Sequence, residues 1–203
     1  KAQHAKSMGP DSILVDEVAV FGGRIDLLAI EPTHMAGIEI KADRDTLTRL
    51  PAQAKAFSAI LDQVTLLTTR RHLLAILCAE RTFAAPFPRW WGITEAVEAD
   101  DGRLRLHQIR ACGSNPDVNA SDLLRLVWRP ELAAQLEALG AIKGLKSASK
   151  ERLRERMLEA MDRDAIRKFV RDTLRARTEN QADVPELRGR HSSRVLRGAR
   201  IER

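Results

Sequence analysis

The sequence predicts an α/β protein, a mixed β-sheet core flanked by helices with an α-helical C-terminal extension, and three observations carry that expectation. Short aliphatic runs, Ile13 to Phe21, Arg24 to Ile30 and Gly37 to Ala42, follow one another with turn residues between them. Leu47, Leu50, Ala54, Phe57 and Leu61 then recur at helical spacing before an apolar run, Val64 to Thr69, that reads as a buried strand. From Asp122 onward the apolar pattern is helical.

Each element has a local reason. Gly22-Gly23 punctuates the first two strands. An antiparallel pairing of the second and third that puts Ile30 opposite Met35 leaves Glu31-Pro32-Thr33-His34 as a four-residue loop, with Pro where a turn wants it. The same register puts Asp26 opposite Glu39. The first helix has Thr48 as an N-cap candidate and Pro51 in its first turn, where a missing N–H costs little. His72 to Cys78 is apolar and open between helix and strand, and Ala85-Pro86-Phe87-Pro88 reads as a loop. Trp91 to Val97 and Leu104 to Ile109 form a strand pair around Asp100-Asp101-Gly102. The helices that follow are Leu123 to Val127, Glu131 to Leu139 ended by Gly140, Lys150 to Met161 capped by Ser149, and Asp164 to Arg177. Residues 1–115 are expected to form the core and residues 116–178 a helical accessory region. Residues 179–203 lack periodic apolar content and read as a flexible basic tail.

At 203 residues and 44% hydrophobic, the chain can bury one good core plus an accessory segment. It has no apolar run long enough to cross a bilayer, and Lys1 to Ser12 lacks the apolar centre of a signal peptide, so a soluble cytoplasmic protein is expected. Cys78 and Cys112 are too few for a disulfide framework and show no ligand spacing with the five histidines, so zinc is not implied. Cys78, in an apolar stretch, is expected to be buried. The net charge of +6 is unevenly spread. Residues 1–141 carry 16 basic and 18 acidic side chains, and residues 142–203 carry 18 and 10. Such a C-terminal excess suits a polyanionic partner bound in a salt-dependent way, and it equally suits a solvated helix surface. The helix, Gly- and Lys-containing turn and second helix around Ala141 to Ala148 distantly resemble small helix-extended-helix DNA-binding modules of the SAP type.

The chemistry-bearing residues are Asp26 on the second strand and Glu39-Ile40-Lys41 on the third. Alternation puts Glu39 and Lys41 on one face while Ile38 and Ile40 point into the core. Two facing acids can share a cation. Magnesium takes one or two carboxylates and fills its octahedron with water and substrate oxygens, a demand that Asp26, Glu39 and the Ile40 carbonyl would meet, with manganese as an alternative. Lys41 would orient the attacking hydroxide or stabilise charge on the phosphorane-like transition state. Glu17 is an additional acid for a second cation or a water-mediated contact. Gln53, near the face of Leu50 and Phe57, would hydrogen-bond the lysine, a water or a phosphate. An acid upstream of a Glu-x-Lys is not specific by itself, and a surface ion pair on an edge strand would look the same.

Beyond the single triplet, Gly23-Arg24-Ile25-Asp26, Gly37-Ile38-Glu39-Ile40-Lys41-Ala42-Asp43-Arg44-Asp45-Thr46-Leu47 and Arg49-Leu50-Pro51-Ala52-Gln53 line up, with Trp90-Trp91-Gly92-Ile93 and Leu124-Arg125-Leu126-Val127-Trp128-Arg129 further on. Together they resemble the PD-(D/E)XK phosphodiesterase superfamily, with its restriction-endonuclease-like fold, and within it a group of small bacterial and phage proteins of nuclease type. The resemblance spans roughly residues 13–178. It implies Asp26 and Glu39 as metal acids and Lys41 as the lysine. The family often pairs its helical Gln with a Tyr four residues on, where this chain has Phe57.

The expected function is a magnesium-dependent phosphodiesterase cleaving DNA, an endonuclease or nickase. The alternative is a non-catalytic nucleic-acid-binding or scaffold protein on the same fold. Candidate DNA contacts are Arg44, Arg49, Lys143, Lys146, Lys150 and Arg152. Double-strand cleavage needs two active sites, which would suit a homodimer. Trp90, Trp91 and Trp128 could stack on bases. With 4% aromatics, the core has the stronger claim on them.

Overall fold

Residues 11–21, 23–81, 88–180 and 195–196 are described by a computed structural model. β1 (Ile13–Val20), β2 (Gly23–Ile30) and β3 (Met35–Lys41) form an antiparallel meander. Ile30 faces Met35 and Leu27 faces Ile38, the register expected from the four-residue loop, which Glu31 N–H closes onto the His34 carbonyl at 2.9 Å. Helix α1 (Leu50–Ser58) crosses to β4 (Gln63–Thr68), parallel to β3, and α2 (Arg70–Arg81) crosses to β5 (Gly92–Glu98), parallel to β4. β6 (Leu104–Arg110) returns antiparallel to β5 through a turn in which Gly102 holds φ of 73°. The sheet order is β6-β5-β4-β3-β2-β1, and β7 (Val195–Leu196) pairs with the outer edge of β1. The fold is therefore α/β with a mixed sheet, and β3 is interior, with a neighbour on each side.

The helical half comprises α3 (Ala120–Leu123), a 3-10 turn (Leu124–Leu126), α4 (Arg129–Ala138), α5 (Lys150–Ala160) and α6 (Arg163–Asn180). Ser149 caps α5 as expected, accepting from Arg152 N–H at 3.2 Å, and Gly140 ends the α4 segment with φ of 67°. One apolar cluster runs from Val15 in β1 through Phe57 and Trp91 to Met157 and Leu174. Arginines of α6 add polar ties to the sheet. Arg175 donates to the Ile30 carbonyl at 2.7 Å, and Arg167 pairs with the buried Asp62, which accepts Met35 N–H at 2.7 Å.

Several expectations change. Thr48 does not cap α1: the cap position is Arg49, without a side-chain bond, and Thr48 lies inside a turn that Leu50 N–H closes onto the Leu47 carbonyl at 3.0 Å. His72 to Cys78 is helical. Within it Leu73 and Ile76 face the core, which turns Cys78 outward, so its thiol is exposed rather than buried. The helix expected over Leu123 to Val127 is α3 followed by the tighter 3-10 turn. Trp128, outside both expected helices, is the N-cap residue of α4. The expected tail begins inside α6, and Val195–Leu196 is a strand; the rest of it lies outside the described residues, as do Ala85 to Phe87 of the expected loop.

Two features seat α1 over β3. A Cβ at Gly37 would lie 2.5 Å from Leu61 Cδ1, so glycine is what lets the chain after α1 pack onto the strand. Phe57 is fully buried and stacks on Trp91 with centroids 6.2 Å apart and planes 6° apart. Truncating such a ring costs about 3–5 kcal/mol. The pair fixes the face of α1 that carries Gln53.

Candidate active site

Strict alternation fails where the acids sit. Val15 and Val18 are three residues apart, as are Ile25 and Leu28, yet all four belong to the main core, whereas Leu27 joins a smaller cluster with Leu14, Ala29 and Ile38. Period-2 strands would put members of each pair on opposite faces. The break lies at Asp16–Glu17 and, directly across, Asp26–Leu27. Glu17 has φ of 56°, a left-handed backbone for a non-glycine residue.

Past the last paired rung of β2 and β3, the Asp26 carboxylate takes over the ladder by accepting the Ile40 N–H at 2.8 Å. Lys41 offers its carbonyl to Thr68 on β4, so the Ile40 carbonyl, on the alternate edge, faces the gap beside Asp26. Glu39 is only 1% exposed and Lys41 5%. Lys41 Nζ donates to Glu39 Oε1, and Gln53 Nε2, reaching down from α1, donates to the same oxygen at 2.5 Å. Glu39 Oε2 and Gln53 Oε1 are buried without a hydrogen-bond partner. The Glu39–Lys41 pair is therefore not a surface ion pair on an edge strand. Burial pushes the Glu39 carboxyl above its ordinary value, the Lys41 hydrogen bond pulls it back, and the Asp26 charge pushes it up again.

These residues line a cleft of about 420 Å³ together with Glu17, Arg24, Asp45, Arg49 and Ala52. Glu17 lies 3.7 Å from the Arg24 guanidinium. Among the described residues no group of three or more His, Cys, Asp or Glu side chains is placed to hold a metal. The available donors are two carboxylates and a strand carbonyl, and the orphaned Glu39 Oε2 is a buried acceptor of the kind a cation satisfies. That set fits magnesium, which leaves most of its positions to water and phosphate oxygens.

The candidate DNA contacts do not gather in one place. Arg49 lines the cleft and Arg44 is exposed on the turn after β3. Lys143 and Lys146 stand exposed on the α4–α5 loop, Lys150 donates to the Arg125 carbonyl at 3.2 Å, and Arg152 pairs with Glu155 at 2.8 Å. Arg154 and Arg156 also pair with acids three residues away, Glu151 and Glu159, so α5 neutralises much of its own charge. Trp91 is fully buried, and Trp128 carries the Arg177 guanidinium 3.8 Å from its ring centroid.

The sequence reading missed the turn that closes the cleft behind Lys41. Asp45 accepts the Ala42 N–H at 2.8 Å, Arg71 donates to the Asp43 carbonyl at 3.0 Å, and His72 Nε2 lies 3.0 Å from the Ala42 carbonyl. The signal was present, since an Asp three residues after a strand end is a turn former. Arg24, the partner of Glu17, was also missed. It sits across the irregular stretch of β1 and β2, whose geometry has no sequence signature.

Comparisons with curated proteins and with solved structures give no match. A family model described as bacteriophage P4 protein cII matches residues 3–195, nearly the whole chain. The protein belongs to the bacteriophage P4 protein cII family.

Proposed function

We propose that the protein is a metal-dependent phosphodiesterase of the PD-(D/E)XK type whose substrate is DNA. The observation that carries this reading is the half-satisfied Glu39. It is buried on an interior strand, held through one oxygen by Lys41 and Gln53, with its other oxygen unpartnered, and it shares its cleft with Asp26. A structural ion pair tends to use all its acceptors, because an unmet buried one costs about 1–3 kcal/mol. A site can leave one for its ligand.

A divalent cation at Asp26, Glu39 and the Ile40 carbonyl would supply Lewis acidity toward a phosphate oxygen and make a coordinated water more acidic. Lys41 places a positive charge beside the scissile phosphate and stabilises the extra negative charge of the transition state. Gln53 holds Glu39 in one orientation through Oε1, which leaves Oε2 for a ligand. Asp26 couples the two strands by taking the Ile40 N–H, which holds its carboxylate at the end of β3 that carries Glu39 and Lys41. Arg49 gives the cleft wall a charge that attracts a phosphate backbone, whereas Arg24 is engaged by Glu17.

One observation favours a second reading, a nucleic-acid-binding or scaffold protein without turnover: Glu39 Oε1 already has two donors, as a purely structural pair would. Cleavage of supercoiled plasmid and of single-stranded DNA with Mg²⁺ or Mn²⁺ tests the two. The enzyme reading expects metal-dependent cleavage that disappears in identically purified Glu39→Ala and Lys41→Ala. Salt-dependent DNA binding without cleavage would replace it with the second.

A further inference from the structure

Phe21 lies at the turn between β1 and β2, and 68% of its surface is exposed, the highest value for a large apolar side chain among the described residues. One face of its ring carries the Arg125 guanidinium, 3.3 Å from the centroid. Beneath it runs a mostly apolar groove of about 290 Å³, formed by Phe21, Ala56, Ala59, Ile60 and Leu126, with Lys55 on its wall and Asp122, which pairs with Arg125 at 3.6 Å, at its edge. Ala52 lines both this groove and the cleft of Asp26, Glu39 and Lys41. The two are neighbours across one helical residue.

We propose that this groove holds an unpaired nucleobase of the DNA strand whose phosphate lies in the cleft, stacked on Phe21. The inference rests on the phosphodiesterase reading for its strand placement and extends it to a substrate class, DNA that is single-stranded or frayed beside the break. Three features commit the groove to a base. The ring offers a flat apolar face, and base stacking on such a face tolerates any sequence. Arg49 on the cleft and Lys55 on the groove, both carried by or next to α1, place positive charge at each end of the path, which suits a strand bearing phosphates. Arg24 and Arg125 are engaged by Glu17 and Asp122. Groove and cleft share Ala52 as a wall, so one nucleotide chain can reach both. A base inside a duplex cannot supply its face, since its neighbours already cover it. The stacking element therefore selects for an unpaired one.

The test is binding, read without cleavage. In EDTA and at fixed salt, anisotropy of a labelled single-stranded oligonucleotide and of its blunt duplex is compared for the natural protein, Phe21→Ala and Phe21→Trp. Phe21→Ala is expected to weaken single-strand binding about five-fold or more and to leave duplex binding within about two-fold, while Phe21→Trp keeps both. A 2-aminopurine in the single strand is quenched by the natural protein and not by Phe21→Ala. Equal loss of single-strand and duplex binding, unchanged single-strand binding, or no single-strand binding at all overturns the proposal. The two readings fail separately. Cleavage that is lost in Glu39→Ala, with Phe21→Ala binding normally, removes the stacking platform alone. Selective loss in Phe21→Ala, with no cleavage by the natural protein, removes the phosphodiesterase reading and leaves the platform.

Discussion

Glu39 and Glu131 each hold a basic partner, and they differ in what they leave over. Glu131 uses both oxygens: Arg177 donates to one at 3.1 Å and to the other at 2.5 Å, and Trp128 N–H adds a bond at 2.6 Å. Arg177 is 5% exposed, stacks on the Trp128 ring and reaches the Leu126 carbonyl. That is a closed, forked arrangement that fixes α6 against the start of α4. Glu39, on the sheet side, is more deeply buried and less well satisfied, with Oε2 left unpartnered. The difference teaches how to read charge in this chain. A saturated pair acts as a staple, whereas an open one buried in a cleft has capacity for something else.

The largest effects should separate the two regions by kind. Lys41→Ala is expected to slow metal-dependent cleavage about 100- to 1000-fold, the scale for losing one group that stabilises developing charge. Arg177→Ala, assayed at a temperature where it is folded, should leave the rate near that of the natural protein. A large rate loss in Arg177→Ala, measured on plasmid substrate, would break the comparison. Stability should show the reverse emphasis. Arg177→Ala leaves Glu131 without its fork and should cost about 3 kcal/mol in denaturant unfolding. A loss near zero would mean that the staple is ornamental.

A smaller effect sharpens the contrast through pH. Glu39 has a pKa above its ordinary 4.5 in the folded protein. Its contribution to stability is therefore fully present below the unfolded value and is lost as pH rises through the raised folded value. Glu39→Gln removes that loss, so its melting temperature minus that of the natural protein should increase from acid toward neutral pH. Metal-free thermal scans across that range check the sign, and a difference that shrinks with pH would contradict it. The smallest effect belongs to α5. Replacing Arg152 and Arg156 together by Ala removes two exposed pairs spaced three residues apart and should change stability by about 0.5 kcal/mol or less. A marked loss of DNA affinity in that variant would show that α5, despite its internal pairing, engages phosphates.

The last case explains why the basic excess of residues 142–203 overstates what the helical half can offer. Formal charge is a property of the sequence, and available charge depends on which acids lie three or four residues away or across a helix contact. Arg167 and Arg175 illustrate the second situation, being engaged by Asp62 and by the Ile30 carbonyl. Cys78 shows the same gap for burial. Its apolar neighbours suggested an interior thiol, but once the segment is helical, position 78 falls on the face away from Leu73 and Ile76.

Much of the fold and the centre of the candidate site could be read from the chain, because the signals are local. The four-residue loop Glu31 to His34 set the β2–β3 register as far as Leu27 and Ile38, beyond which the Asp26 side chain meets the Ile40 N–H, and the alternation put Lys41 beside Glu39. Ser149 capped α5 for reasons contained within four residues. Tertiary structure decided what depends on distant partners. It made β3 an interior strand and so buried the acid–lysine pair. It broke the alternation of β1 and β2 together at Glu17 and Asp26, and it brought Arg125 onto Phe21, residues far apart in the chain. The physical reason is range: hydrophobic period, turn chemistry and caps act over a few residues, whereas burial, ion pairing and cleft shape are set by packing between segments that the sequence does not place side by side.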